Sequence, residues 1–525
     1  MIYLDKYKKR PNVDDEVNNL ALAERVINDV SLEMNALHGL ALPTEYWMWL
    51  LMPHTQLFIE QIADRFQLQP EFSKNLNVET SSARGVEIYD AHWSKAINIQ
   101  IAIDINNYQM KSSIVNFKLS FFNKITINFK KFYYFFKNGL KVLRMVNYLK
   151  KYDGTNQIIF LDKILDIHFQ AELENIFNAS HLNQEEYRPF IFSYKHRKDF
   201  DGFRYGSLKG STNDDNDYVK FIYENFKKYL PVEYVELFSR IYAYYKNIEC
   251  KILVCSCPVN VNRYYRHAFS AIKMNGARVL SFQHGGGYGI SKYNSYEVME
   301  RNFSEKYVEW SGIGGEVVSS IFDLNNIELN KNKNKNKNID LLIIGPLFKA
   351  YHRYNIGMHP FHNINVAERI SKLILNLSNS PISIVYRPYK NHKDLVMNNI
   401  GNKYFMDSSI EDQISRSRYV VCTKPTTIIN QCIQLNAYPI LFWGEEYDTS
   451  DDANYLLSKL SEVGFYFNSV ENCAERLNNL LRSDRNIFPD HSSVISIYEK
   501  LFGNGPSKFE NIKKLIGDFD KELEL

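Results

Sequence analysis

Short apolar runs alternate with helix-spaced segments in the second half of the chain, and this alternation constrains the fold more than any other feature. Beyond residue 338 it predicts strands at 340–345, 382–387, 419–423 and 438–443, with helices near 365–377, 410–417 and 426–436. Apolar strands that alternate with helices are typical of parallel, doubly wound sheets. We therefore expect an α/β domain here.

A similar unit lies nearer the middle of the chain. Lys251–Pro258 has a buried-strand pattern, 259–275 has helical spacing with Gly276 as its C-terminal cap, and Val279–Phe282 has strand character. Four of the five residues after Gln283 and His284 are glycine. Ligands of open α/β sheets bind outside the carboxyl ends of strands, so a ligand site is expected there. Its residues would be Gln283, His284, Gly285, Gly286 and Gly287.

Composition limits the function classes. A net charge of +3 over 525 residues argues against a nucleic-acid binder, and the length suits two or three domains. The six cysteines lie mostly in apolar patterns, which favours a reduced, cytosolic chain. We expect no signal peptide, and no run reaches ~18 apolar residues. The histidines near 352–362 lack partners at ligand spacing, so no metal site is expected.

The remaining segments set the domain boundaries. Residues 43–66 look helical, with Pro53 expected to kink or break the helix, and 217–247 predicts one or two helices. The Asn/Lys-rich stretch 325–338 cannot bury apolar area and predicts a linker or loop. The predicted divisions are 1–324 with a helical insertion near 117–151, the linker 325–338, a second domain at 339–485, and a helical tail at 486–525.

The insertion 117–151 combines many aromatic residues with nine Lys or Arg. Such a stretch can lie on an anionic membrane surface with its aromatic rings inserted. An amphipathic helical hairpin packed on the domain explains the same pattern. Shorter stretches at 97–105 and 157–161 are predicted to be strands.

Polar clusters follow several predicted strands of the second domain. The strand at 382–387 leads into a basic segment, the strand at 419–423 into a helix start with two threonines, and the strand at 438–443 into a carboxylate. Cations and helix N-terminal amides bind phosphate, and a carboxylate can hold a ribose hydroxyl. The predicted donor-binding residues are Arg387, Lys390, His392, Lys424, Thr426, Thr427 and Glu445. An exposed basic loop and ordinary helix capping explain parts of the same pattern.

Another basic group lies near the start of the helix after strand 251–258. Arg263, Arg266 and His267 place positive charge at the positive end of the helix dipole, which a bound anion would relieve. Solvation at the surface is the alternative. No P-loop motif is present.

These motifs together resemble a known family. The run Gln283–Gly289, the segment Tyr386–Tyr389 and the Thr-Lys-Pro-Thr-Thr turn at 423–427 resemble bacterial transferases of surface-polysaccharide gene clusters. The helix after Leu42 is similar to that family's opening. More distantly the chain resembles GT-B glycosyltransferases that use CMP-activated ulosonic acids, such as the Kdo transferases of capsule and lipopolysaccharide.

The resemblance implies an α/β, GT-B-like fold. Two Rossmann-like domains would hold parallel sheets that face a central cleft, with helical insertions and a C-terminal helical tail. It implies a metal-independent glycosyltransferase without a cofactor, which transfers a Kdo-like or sialic-acid-like sugar from a CMP-linked donor. The acceptor would be a glycan or lipid-linked glycan bound by the first domain. The enzyme would be cytoplasmic, with peripheral contact of 117–151 at the inner face of the inner membrane.

Within this interpretation His284 is the first choice for the base that deprotonates the acceptor hydroxyl. Asp90 and Glu87 are alternatives. Three other functions remain open: a UDP- or GDP-hexose transferase, a teichoic-acid-type polyol-phosphate transferase, and a non-catalytic scaffold subunit of a polysaccharide assembly complex.

Overall fold

The computed structural model describes most of two α/β domains. The described residues are 13–67, 157–161, 167–177, 179–182, 200–209, 217–231, 233–256, 259, 262–283, 285–309, 337–346, 362–378, 382–389, 395–401, 404–435, 439–482, 491–502 and 509–522.

The first domain is built on a five-stranded, fully parallel sheet in the order β2-β1-β3-β4-β5. Its strands are β1 (Ile158–Leu161), β2 (Ser180–Leu182), β3 (Ile252–Cys255), β4 (Arg278–Phe282) and β5 (Lys306–Val308). The predicted strands at 251–258 and 279–282 are therefore confirmed, as is the one at 157–161.

Helices precede, connect and follow these strands. They are α1 (Val13–His38), α2 (Thr44–Gln67), α3 (Ile167–Ile176), α4 (Asp201–Arg204), α5 (Asp217–Tyr229), α6 (Phe238–Tyr245), α7 (Arg263–Met274) and α8 (Ser295–Asn302).

The helix α2 is continuous through Pro53. Of the two predicted effects of this residue, a break is therefore excluded, and a kink stays a prediction. A proline inside a helix removes one backbone hydrogen bond. The surrounding residues compensate by packing, because Leu50, Leu51 and Phe58 are all fully buried. Gly276, at φ +98° directly after α7, confirms the predicted helix end.

The two faces of the first sheet belong to different clusters of buried residues. Ile159 and Leu161 pack with the helices α1, α2 and α5–α7, whereas Ile158 and Phe160 point to the opposite face. This alternation is the two-residue period of a strand whose two sides are both covered. The sequence between Ile158 and Leu161 is accordingly apolar throughout.

The second domain repeats the winding of the first. Its sheet is five-stranded, fully parallel and ordered β10-β9-β8-β6-β7. If the strands of each sheet are numbered in chain order and the second sheet is read from its β7 edge, both sheets have the order second, first, third, fourth, fifth. Its strands are β6 (Ile339–Ile344), β7 (Ile384–Arg387), β8 (Ser417–Cys422), β9 (Ile440–Phe442) and β10 (Tyr466–Phe467).

The helices of this half are distributed over both domains. They are α9 (Asn363–Leu377), α10 (Leu395–Ile400), α11 (Ile410–Arg416), α12 (Thr427–Gln434), α13 (Asp451–Glu462), α14 (Val470–Arg482), α15 (His491–Phe502) and α16 (Phe509–Lys521).

The last two helices pack on different domains. Tyr498 and Phe502 of α15 belong to the core of the second domain. Ile512, Ile516 and Phe519 of α16 instead cover the face of the first sheet that carries Ile158 and Phe160. Burying one such side chain fully stabilises the fold by about 1.5–3 kcal/mol. The end of the chain therefore ties the second domain back to the first.

The α/β class with two parallel, Rossmann-like sheets is confirmed. In both sheets a topological switch point lies between the first and third strands, where ligands of such folds bind. The carboxyl ends of β1 and β3 in the first domain, and of β6 and β8 in the second, therefore define where a site is expected. The glycine run predicted as a site follows β4, which lies beside β3 at the same edge.

Candidate functional site

The glycine loop, residues 285–289, begins directly after β4. Gln283 is nearly buried; its backbone N–H donates to the carbonyl of Val308, and its side-chain amide donates to the carbonyl of Gly285 at 2.7 Å. Gly287 and Gly289 have φ of 93° and 71°. These are left-handed conformations that favour glycine, so the turn needs glycine at both positions.

The glycine loop lies directly against the start of α12 in the second domain. The backbone N–H of Gly286 donates to Oγ1 of Thr427 at 3.1 Å. A Cβ on Gly286 would lie 2.4 Å from the carbonyl carbon of Thr426 and 2.5 Å from the nitrogen of Thr427. Two motifs that the sequence places on separate domains are thus in contact through their backbones.

Further contacts extend this junction. We call residues 286–292, together with 426–427 and 448–450, the domain seam. Ser450 donates from its hydroxyl to the carbonyl of Gly289 and from its backbone N–H to the carbonyl of Ile290, each at 2.8 Å. The backbone N–H of Lys292 donates to the carbonyl of Asp448 at 2.7 Å. Ile290 is fully buried and belongs to the core of the second domain.

The helix α8 supports the glycine loop from the first domain. Oε2 of Glu297 accepts a hydrogen bond from the backbone N–H of Gly289 at 2.9 Å. Oε1 of the buried Glu300 accepts one from the hydroxyl of Tyr288 at 3.1 Å. Arg301 forms an ion pair with Glu297 at 3.0 Å. The loop is therefore fixed on both sides, by α8 and by α12.

The predicted helix start at Thr426 and Thr427 is confirmed. The side chain of Thr426 caps α12 by accepting from the backbone N–H of Ile428 at 3.0 Å. The side chain of Thr427 accepts from Gly286, as described above. The Nζ of Lys424 lies 4.8 Å from the ring centre of Tyr389, which follows β7. The cation after β8 and the motif after β7 therefore meet at the carboxyl edge of the second sheet.

Arg387 ends β7 and is half-buried. Its guanidinium donates to the carbonyl of Ser408 at 2.6 Å. Burial lowers the pKa of Arg387, and the carboxylates of Glu411 and Asp407 act against this. Arg387 thus has a protein partner in the segment before α11. Its predicted contact with a donor stays a prediction.

The predicted carboxylate Glu445 is exposed after β9. Its neighbour Glu446 accepts from the backbone N–H of Gly444 at 2.9 Å and pairs with Arg369 of α9 at 2.7 Å. Sequence reasoning did not separate these two adjacent glutamates. The structure distinguishes them by exposure, since Glu445 is exposed whereas Glu446 is held against the fold by Arg369 of α9.

Arg266 and His267 do not lie at the surface, and Arg263 is only partly exposed. Arg266 is 5% exposed and His267 is fully buried. The Nε of Arg263 lies 3.8 Å from Oε1 of the fully buried Glu233, and the guanidinium of Arg266 lies 5.9 Å from the ring centre of Tyr234. The alternative of a solvated basic surface is therefore wrong for this group.

Sequence reasoning missed the residues that surround these arginines. The rings of His54 and His267 both pack against the ring of Tyr234. Their centroids lie 6.1 Å and 5.4 Å, respectively, from the Tyr234 centroid. Burial, then the charge of Arg266, lowers the pKa of both histidines, and that of His267 falls to about 3. The available signal was the polar run from His54 to Gln56 within an otherwise apolar helix. Gln56 donates to the hydroxyl of Tyr293, just beyond the glycine loop, at 2.7 Å.

Several predicted features lie outside the described residues. They are the base candidates His284, Asp90 and Glu87, the basic residues Lys390 and His392, the segment 97–105, the insertion 117–151 and most of the linker 325–338.

Two features are absent from the described part of the chain. It contains no group of three or more His, Cys, Asp and Glu residues that could hold a metal ion. Within the same residues, no helix has both the length and the apolar character needed to cross a bilayer.

Comparisons with known proteins give a structural likeness and a family match. The crystal structure of MurG from Acinetobacter baumannii shares 9% identity, and the match covers 69% of this chain and 99% of MurG. Its TM-score is 0.36, and a likeness of this size carries no argument about the chemistry. No curated protein matches. The family model of the LIC12162 family transferases matches residues 6–483, which is most of the chain. The chain therefore belongs to the LIC12162 family of transferases.

Proposed function

We propose that this transferase is a glycosyltransferase of surface-polysaccharide biosynthesis. Its favoured donor is a CMP-linked ulosonic acid, Kdo-like or sialic-acid-like, and its acceptor is a glycan. Membership in a transferase family supports group transfer as the activity of this protein. The two parallel sheets support a two-domain enzyme with one substrate on each domain, because both switch points lie at carboxyl edges.

The observation that carries the proposal is the hydrogen bond between Gly286 and Thr427. It joins the glycine loop at the carboxyl edge of the first sheet to the helix start at the carboxyl edge of the second. A helix start offers backbone N–H groups and a positive dipole end to a phosphate. Lys424, directly before this helix, adds a positive charge.

The proposed reaction breaks the bond between the anomeric carbon of the donor sugar and the phosphate oxygen of CMP. The acceptor hydroxyl forms the new bond and gives its proton to a base, for which we propose His284, with Asp90 or Glu87 as alternatives. Negative charge develops on the leaving phosphate. In this proposal fixed cations stabilise that charge instead of a metal ion. Lys424, Arg387, Lys390 and His392 are the cations proposed for it.

The acceptor in such pathways can be lipid-linked, and we propose that the insertion 117–151 brings the enzyme to the inner face of the inner membrane. Its Lys and Arg residues would each contribute about 1 kcal/mol at an anionic surface.

The donor site is tested by the thermal unfolding midpoint in the presence of CMP, CDP, UDP or GDP. A nucleotide at 100 times its dissociation constant stabilises the folded state by about 2.7 kcal/mol. We expect CMP to raise the midpoint most. Lys424→Gln should weaken CMP binding by about 1.5–3 kcal/mol, the range for a hydrogen bond to a charged group.

Lys459→Gln is the matched control, since Lys459 belongs to the same domain and pairs with Glu462 on the exposed face of α13. If UDP or GDP stabilises the protein and CMP does not, the CMP donor is wrong and a hexose donor replaces it. If no nucleotide stabilises the protein, the proposed donor site is refuted.

A further inference from the structure

The first residues of α12 are engaged by other protein groups in this structure. The first N–H groups of any helix lack partners within the helix itself. Here the backbone N–H of Ile428 donates to Oγ1 of Thr426, and that of Ile429 donates to the carbonyl of Thr426, each at 3.0 Å. The hydroxyl of Thr427 accepts from the backbone N–H of Gly286 at 3.1 Å. A phosphate at this helix start would have to replace some of these contacts.

The glycine loop also occupies the space against the peptide bond between Thr426 and Thr427. A Cβ on Gly286 would lie 2.4 Å from the carbonyl carbon and 2.5 Å from the nitrogen of this peptide, and real Cβ atoms stay beyond about 3.0 Å. A phosphate group is larger than a methyl group. It therefore has no room between Gly286 and this peptide while the loop stays in place.

The loop belongs to the first domain but is docked on the second. Its attachment to the first domain is through β4 and through Glu297 of α8, which accepts from the backbone N–H of Gly289 at 2.9 Å. Ser450 of the second domain holds the carbonyls of Gly289 and Ile290, and Ile290 is buried in the core of that domain. Release of the loop from α12 therefore means opening of the domain seam, and the buried Ile290 favours the docked state.

We propose that the docked glycine loop is an autoinhibitory contact, which covers the phosphate site at the start of α12 until a nucleotide displaces it. The inference rests on the proposed function, in which the donor phosphate binds this helix start. A ligand that binds only a minor conformation has its apparent affinity reduced by the fraction of that conformation. Docking of the loop thus weakens donor binding, and donor binding in turn opens the domain seam.

Hydrogen exchange of the wild type tests the opening directly, with CMP as the ligand and cytidine as its phosphate-free control. Peptides that contain Lys292 or Ser450 report on the seam, because the backbone N–H groups of both residues donate across it. We expect saturating CMP to speed their exchange and cytidine to leave it unchanged. A ligand that only stabilised the protein would slow exchange, so the sign of the effect is decisive. If UDP or GDP binds in place of CMP, that nucleotide and its nucleoside form the test pair.

The affinity of Gly286→Ala for CMP, measured by calorimetric titration, tests the competition from the other side. The added Cβ disfavours docking, so this variant should bind CMP at least about fivefold more tightly than the wild type. Opening also parts the two domains, so we expect tighter nucleotide binding together with slower transfer. Damage to the site would instead weaken binding.

Gly202→Ala is the matched control, because Gly202 lies in α4 of the first domain and a Cβ there meets nothing within 4 Å. It should bind CMP as the wild type does. If Gly286→Ala does not fold, Ser450→Ala decides, since it removes the hydrogen bond to the Gly289 carbonyl and should also tighten binding.

The inference is overturned if CMP binds while exchange across the seam stays the same or slows. It is also overturned if the folded Gly286→Ala, or Ser450→Ala in its place, binds CMP no more tightly than the wild type. Both results leave the proposed donor site standing. If no nucleotide binds, the proposed donor site is refuted and the autoinhibitory contact is refuted with it.

Discussion

Replacing Gly286 with alanine should separate the glycine loop from the helix α12. The added Cβ would lie 2.4 Å from the carbonyl carbon of Thr426, 2.5 Å from the nitrogen of Thr427 and 2.8 Å from the oxygen of Thr426. All three atoms belong to the backbone at a helix start, where no rotamer change can relieve the overlap. The loop must therefore move, and Gly286 must give up its hydrogen bond to Thr427.

The expected cost follows from these contacts. Overpacking of a tight site costs about 1–3 kcal/mol, and a lost hydrogen bond adds about 0.5–1.5 kcal/mol. Together they give about 1.5–4.5 kcal/mol, which corresponds to roughly a 10- to 2,000-fold loss in the population of the docked loop. Gly285→Ala is a closely matched control, because a Cβ there would meet only Oγ1 of Thr427, at an ordinary 3.6 Å.

Hydrogen exchange across the domain seam measures this loss. The backbone N–H groups of Lys292 and Ser450 donate to carbonyls on the opposite side of the seam, so they exchange when the seam opens. Peptides containing these residues should exchange faster in Gly286→Ala by a factor within that range, and donor turnover should fall. Gly285→Ala should match the wild type in hydrogen exchange across the domain seam. Equal behaviour of the two variants would refute the argument that this close approach holds the domains together.

Two further predictions concern pH and membranes. Burial lowers the pKa of His38 from 6.5 to about 4, against a smaller opposite effect from a hydrogen bond with the Tyr234 backbone. Above pH 6.5 the His38 ring is neutral in both the folded and the unfolded protein, so the stability contributed by this residue is fully present there. That contribution is lost as the pH falls towards 4, because the unfolded chain then binds a proton that the folded protein does not. The unfolding midpoint of His38→Gln should therefore fall less over this window than that of the wild type, and an equal fall would contradict the assignment. The protein should sediment with anionic lipid vesicles at low salt and lose this binding when 117–151 is deleted; no binding at low salt would make the insertion an ordinary packed element.

The sequence predicted the secondary structure well because the relevant signals are local. Apolar runs at 340–345 and 419–423 became β6 and β8, and the helical spacing of 365–377 became α9. Strand and helix periods span two to four residues, so they are readable without knowing the fold. The break that the sequence allowed at Pro53 does not occur, because residues packed around α2 stabilise the helix despite the proline.

Only part of the candidate site could be predicted from the sequence. The sequence placed the glycine loop and the start of α12 at strand ends, and both positions are correct. It could not show that they touch, because Gly286 and Thr427 are joined by a contact between residues 141 positions apart. For the same reason it missed His54, which lies near Arg266, and Glu233, which lies beside Arg263. Only the packing of α2 and of the 233–236 turn brings these residues together.

The sequence alone thus determined the two parallel-sheet domains and the strand ends that carry polar residues. The tertiary structure decided which of those residues are buried together, that Ile290 completes the core of the second domain, and that α16 returns to cover the first sheet. These outcomes depend on side chains from distant segments competing for the same buried volume. A local pattern shows that a residue such as Ile290 will be buried, but the partner that buries it is set by the whole chain.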